Sequence, residues 1–136
     1  MPVPVAAAPP LIAPVAPIVV RRSFRDAPPF AAGGRRAIRL AAASGQSVKA
    51  PCGGDVWFRG RVAGGAPVLT IDCARGGWRV TLSKISVEAG IAVGAAVVAG
   101  AVVGTAGDGA LGLSVRRRAG QYVDPLPLLR SDGAGG

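Results

Sequence analysis

AGIAVGAAVVAGAVVGTAG, residues Ala89 to Gly107, carries no charge over nineteen residues. It is either a membrane span or the apolar heart of a β domain. About twenty apolar residues cross a bilayer, and Gly90 with Gly94, like Gly100 with Gly104, makes the small-xxx-small spacing of packed transmembrane helices. Against a span, only Ile91, Val93, Val97, Val98, Val102 and Val103 are strongly apolar, each contributing roughly −0.3 to −0.6 kcal/mol on an insertion scale. Read with period two, the valines form short β-branched runs separated by Gly94, Gly100 and Gly104, where turns want a residue tolerant of positive φ. Short strands are the preferred reading. A helix stays open, because periodicity does not separate short apolar runs.

The flanking chain reads as mostly β. Arg36 to Leu40 is a plausible strand, Ser44-Gly45-Gln46 a turn, and Val48 to Pro51 a short strand ended by proline. Val56 to Val62 and Val68 to Cys73 flank Ala63-Gly64-Gly65-Ala66, a hairpin signature. Trp78 to Leu82 follows Arg75-Gly76-Gly77, and Leu111 to Val115 alternates as a half-buried strand should. At the front, residues 1–20 hold six prolines, which forbid a continuous helix. They read as a Pro/Ala-rich extended N-terminal segment ahead of a domain over 21–129, with a flexible Gly-rich tail at 130–136.

Composition excludes much chemistry. The 136 residues contain no histidine, which removes Ser-His-Asp and Cys-His nucleophile systems, imidazole general bases and His-based zinc sites. The carboxylates Asp26, Asp55, Asp72, Glu88, Asp108, Asp124 and Asp132 lie in no recognisable motif. A formal net charge of +9 favours anionic polymers: nucleic acid, an anionic lipid surface or an acidic wall polymer.

Cys52 and Cys73 bracket the hairpin. If they face one another, Val56 faces Leu69 and Phe58 faces Pro67, so both sulfurs and the apolar side chains share a face. A disulfide is the expected outcome, and it persists in an oxidising compartment. Two free thiols, or a zinc site using both sulfurs, are the alternatives. No C-x-x-C or histidine completes such a metal site.

Gly34-Arg35-Arg36-Ala37-Ile38-Arg39-Leu40-Ala41-Ala42, then Gly45 to Pro51, then Gly54 to Val62, in that order, resemble the opening of the lysostaphin-type (LytM-type) zinc metallopeptidases that cut peptidoglycan cross-bridges. Val97 to Gly107 resembles their paired valine-glycine turns, and Gly120 to Leu126 their closing Val-Asp-Pro. The resemblance implies an all-β fold, a curved antiparallel sheet of the duplicated-hybrid-motif (lysostaphin-like) type with β-hairpins. It also implies a degenerate site. The family's first zinc-binding His and Asp fall on Arg35 and Arg39, a later histidine near Thr81, and the closing His-x-His near Leu111 and Leu113, to within about one residue. Guanidiniums and leucines offer zinc no lone pair.

The reading is therefore a non-catalytic, peptidase-like envelope domain without metal or other cofactor. Its groove, at Arg35, Arg39, Thr81, Leu111 and Leu113, would bind peptidoglycan or a cell-wall hydrolase. The chain is expected as a monomer, secreted or in the cell envelope, although no export signal is evident in it. Two alternatives stand beside this: a small membrane protein spanning at 89–107, and a basic nucleic-acid-binding β domain led by Arg116-Arg117-Arg118. Nucleic acid is not the expected partner, because aromatic residues are few. Association with a membrane is left open.

Overall fold

The computed structural model describes residues 10–25, 36–61, 65–74, 77–107, 109–118 and 120–130. Arg35, Asp26, Asp108 and the tail beyond Arg130 lie outside the described residues. The strands, in chain order, are β1 (Leu11–Ile12), β2 (Val20–Arg22), β3 (Ala37–Ala41), β4 (Ser47–Lys49), β5 (Gly54–Arg61), β6 (Pro67–Cys73) and β7 (Trp78–Ser83). They continue with β8 (Ile85–Val87), β9 (Ala96–Val97), β10 (Val102–Ala106), β11 (Ala110–Arg117), β12 (Tyr122–Val123) and β13 (Leu129–Arg130). A single 3-10 turn, Leu126–Leu128, is the helical element among the described residues.

One large antiparallel sheet runs β2-β3-β11-β7-β6-β5-β9, with β12 also pairing β11. A small sheet, β4-β10-β8, packs over one face of it. Period-two burial makes that face the core: Ile38, Leu40, Leu69, Ile71, Val80, Leu82, Leu111 and Leu113 are fully buried there, and Val48, Ile85 and Val103 come from the small sheet. The described part of the Pro/Ala-rich segment, from Pro10, is built into the same core. Leu11 and Val15 are buried in it, and β1 pairs with β13 in parallel, so the described part of residues 1–20 is not a lead standing ahead of the domain.

The stretch 89–107 forms turns and the strands β9 and β10. No helix among the described residues is long and apolar enough to cross a membrane, and this overturns the helical-span alternative for 89–107. Nor is the stretch an apolar heart. Val93 is 62% exposed and Val98 73%, while Val103 is fully buried. Gly94 and Gly100 have positive φ in turns, as expected. Gly104 does not: it lies within β10 where a Cβ would meet the Ser86 carbonyl oxygen at 2.2 Å, so its role is close strand approach.

The hairpin also differs in register. Cys73 is opposite Gly54, and Val56 opposite Ile71, because Cys52 stands before β5 rather than within it. The sulfurs are nonetheless joined, with Cα atoms 5.7 Å apart. A second shift falls between Val56 and Phe58, where Trp57 is the extra residue of a β-bulge.

Candidate functional site

The face of the large sheet turned away from the core carries three rows of side chains, fixed by ladder register. In the first, Val68 is opposite Ser83, Ser83 opposite Gly112, Gly112 opposite Arg39, and Arg39 opposite Arg22. The second runs Phe58, Thr70, Thr81, Ser114 and Ala37. The third runs Asp55, Asp72, Arg79, Arg116 and Tyr122. Successive rows are about 7 Å apart along the strands.

This parity brings Arg39 and Thr81 to one open face and removes Leu111 and Leu113 from it. Both leucines are fully buried in the core, because in β11 the bulky apolar residues take the core side. The positions that face outward are Ala110, Gly112 and Ser114, one residue away from those expected. Gly112 leaves its share of the face to a neighbour: a Cβ there would stand 2.0 Å from Ser83 Oγ. In the next row the hydroxyls of Thr70 and Thr81 are 2.8 Å apart, and Thr70 is buried. Among the described residues, no three Cys, Asp or Glu side chains are grouped so that they could hold a metal ion. Arginine, threonine, serine and glycine supply hydrogen bonds and positive charge here, with no set of lone pairs for zinc.

The third row holds most of the charge. The Arg79 guanidinium lies 3.8 Å from the centroid of the Trp57 ring, and that of Arg116 lies 5.6 Å from it. Arg118 Nε donates to Asp72 Oδ1 at 2.7 Å, while Arg79 Nε is 3.7 Å from the same oxygen. Arg117 points elsewhere, over the buried Trp78 ring at 5.0 Å. The Arg116–Arg118 run is thus divided between two faces and is no continuous basic stripe.

The bulge explains why this cluster escaped a reading of the sequence. Simple alternation would turn only one of Trp57 and Phe58 outward. A bulge lets two residues oppose one partner, here Thr70, and both rings remain exposed, Trp57 at 47% and Phe58 at 37%. The available signal was Val56-Trp57-Phe58 itself, three large apolar residues in a strand with one buried face.

The architecture matches solved structures over most of the chain. Over 90% of this chain it superposes on Helicobacter pylori Csd3 with a TM-score of 0.77 at 22% identity, covering 35% of that chain. The fold is lysostaphin-like. Lysostaphin from Staphylococcus simulans, described as an antimicrobial peptidase, matches 96% of this chain with a TM-score of 0.74 at 22% identity, over 58% of its own length. A catalytic-domain mutant of the prophage-encoded M23 protein EnpA from Enterococcus faecalis matches 92% of this chain and 98% of its own, with a TM-score of 0.66 at 24% identity. The chain therefore spans about a third of Csd3 and somewhat over half of lysostaphin. No protein-family model and no curated protein matches the sequence. With this lysostaphin-like sheet in place, the open face described above is the one that carries Arg39 and Thr81, two positions at which the resemblance expects metal ligands.

Proposed function

We propose that this chain is a non-catalytic, peptidase-like module of the cell envelope that uses the open face of its sheet to bind peptidoglycan or a cell-wall hydrolase. One observation supports the reading: Arg39 and Thr81, two positions at which the resemblance expects metal ligands, stand with Gly112 on one outward face of the sheet. Arg39, Thr81 and Gly112 are not the nitrogen, sulfur or carboxylate donors that hold a catalytic zinc, so this face is read as a binding surface rather than a metal-activated hydrolytic site. What the face can do is pair guanidinium with carboxylate, and the acidic ends of wall stem peptides supply that group. Arg39 is the residue assigned to this contact, and Arg35 is its expected companion. The Cys52–Cys73 disulfide supports an oxidising, extracytoplasmic setting.

The test has two parts. Purified protein, dialysed without chelator, should hold no stoichiometric zinc and should leave peptidoglycan uncut; tightly held zinc or released fragments would overturn the proposal. In a pull-down on peptidoglycan stripped of anionic polymers, Arg39→Ala should weaken binding while Arg21→Ala with Arg130→Ala should not. If both variants weaken it equally, and salt abolishes it in the parent, only diffuse surface charge is acting.

A further inference from the structure

We infer that the corner of the open face formed by Trp57, Arg79 and Arg116 is a subsite for an acidic saccharide. The sugar ring would lie on Trp57, with its carboxylate held by Arg116. The choice of a wall sugar rests on the envelope function proposed above, but the site stands on different residues from Arg39.

Three observations converge on it. First, the β-bulge turns two consecutive aromatic rings out of the core, and Trp57 keeps nearly half its surface in water beside a guanidinium stack. A strand in regular alternation would bury one of the two. Bulges re-aim side chains in this way beside functional sites. Second, the charges do not cancel. Arg118 and Arg79 both approach Asp72 Oδ1, at 2.7 and 3.7 Å, and Arg116 stands opposite Arg79 on the neighbouring strand, over the Trp57 ring. Asp55, exposed at the end of the same row, is the other acid, so three cations face two carboxylates. The Nε of Arg79 is buried with no hydrogen-bond partner among the described residues. Arg116 directs one N–H to the Arg117 carbonyl at 3.3 Å, and a guanidinium has five. Third, the adjoining row presents the half-buried hydroxyls of Thr81 and Ser114.

A pyranose has an apolar C–H face and a rim of hydroxyls. That combination fits one exposed indole with a row of hydroxyl side chains beside its own, and a carboxylate carried as a ring substituent would meet the surplus positive charge. A nucleic-acid strand would want successive stacking platforms along a cationic track. Phe58 does not provide the second platform beside Trp57: its ring leans the other way, over Gly60, where a Cβ would stand 3.0 Å from its Cζ.

The experiment is isothermal titration of the full chain with four probes. They are peptide-free glycan strands bearing N-acetylmuramic acid carboxylates, neutral N-acetylglucosamine hexamer, free stem peptide and oligothymidylate. The acidic glycan should bind, and the neutral hexamer should bind about tenfold more weakly or worse, the loss expected for one charged hydrogen bond. Trp57→Ala and Arg116→Ala should each weaken the glycan by about tenfold or more. Trp57→Phe, which keeps a ring, should retain binding and guards against a folding defect in Trp57→Ala. Equal affinity for neutral and acidic glycans, indifference to Trp57→Ala, or tighter binding of oligothymidylate overturns the inference. Stem peptide binding reads the proposed function separately, so peptide binding without glycan binding sinks the subsite and leaves that proposal standing.

Discussion

Ser83 Oγ fills the space that a side chain at Gly112 would need, since a Cβ built on Gly112 would lie 2.0 Å from it and 3.3 Å from Ser83 Cβ. The two residues are direct partners in the β7–β11 ladder. The outward position closest to the expected His-x-His strand has therefore been closed by its neighbour. Gly112→Ala should cost about 1–3 kcal/mol through overpacking, measured by urea denaturation. Adding Ser83→Ala removes the colliding hydroxyl and should recover most of the loss. Simple additivity of the two changes would show that the close approach has no energetic weight.

The disulfide gives a second prediction. Cys52 and Cys73 are separated by 21 residues in the chain, and closing a loop of that size constrains the unfolded state by about 3 kcal/mol in the chain-entropy model. Denatured, unreduced protein should titrate no free thiol, and Cys52→Ala with Cys73→Ala should lose stability of that order. Two reactive thiols without reductant would remove the bridge, and with it the internal support for an oxidising compartment.

The longer strands, β3, β5, β6, β7 and β11, were legible in the sequence as β-branched and apolar runs bounded by glycine or proline, whereas β1, β2, β8, β12 and β13 are too short to announce themselves and 89–107 could also be read as a helix. The face each residue took was less so. Leu111-Gly112-Leu113-Ser114-Val115 states its own parity, and the leucines had to be core. Assigning them to the groove followed the family pattern one residue out of step. The hairpin register was offset because nothing in the sequence marks Cys52 as lying before β5 or Trp57 as a bulge. Val93 and Val98 were exposed against expectation, since an uncharged run announces low polarity but not burial. The Trp57–Arg79–Arg116 cluster was hidden for the same reason as the register: it exists only once the bulge is known.

Arg59 does structural work of a kind no motif signals. Its guanidinium donates to the carbonyl oxygens of Glu88 at 2.7 Å, Val87 at 3.3 Å, and Ile91, holding the segment after β8 against β5. The turn beyond is tied to the same strand by Val56 N–H to the Ala95 carbonyl and Gly94 N–H to the Val56 carbonyl. Arg59→Met keeps much of the aliphatic stem and removes the donors. It should cost about 1.5–3 kcal/mol, and amide exchange at Gly94 and Ala95 should quicken more than in β6 or β7. Uniform quickening across the sheet would mean that Arg59 contributes only to global stability.

The paired hydroxyls of Thr70 and Thr81 allow the sharpest test of how the open face is held together. They are 2.8 Å apart, Thr70 is 5% exposed, and Thr81 is half-buried. The two single removals are therefore unequal. Thr70→Val leaves the Thr81 hydroxyl, which water can still reach, so the loss should stay near the net value of one hydrogen bond, about 1 kcal/mol. Thr81→Val strands the buried Thr70 hydroxyl, and its desolvation raises the cost to about 1–3 kcal/mol. Replacing both leaves no orphan, so the double variant should be more stable than Thr81→Val alone. Thermal unfolding of the three variants settles the order. If the double variant is the least stable of the three, the hydroxyl pair is bonded into a wider polar network rather than to itself.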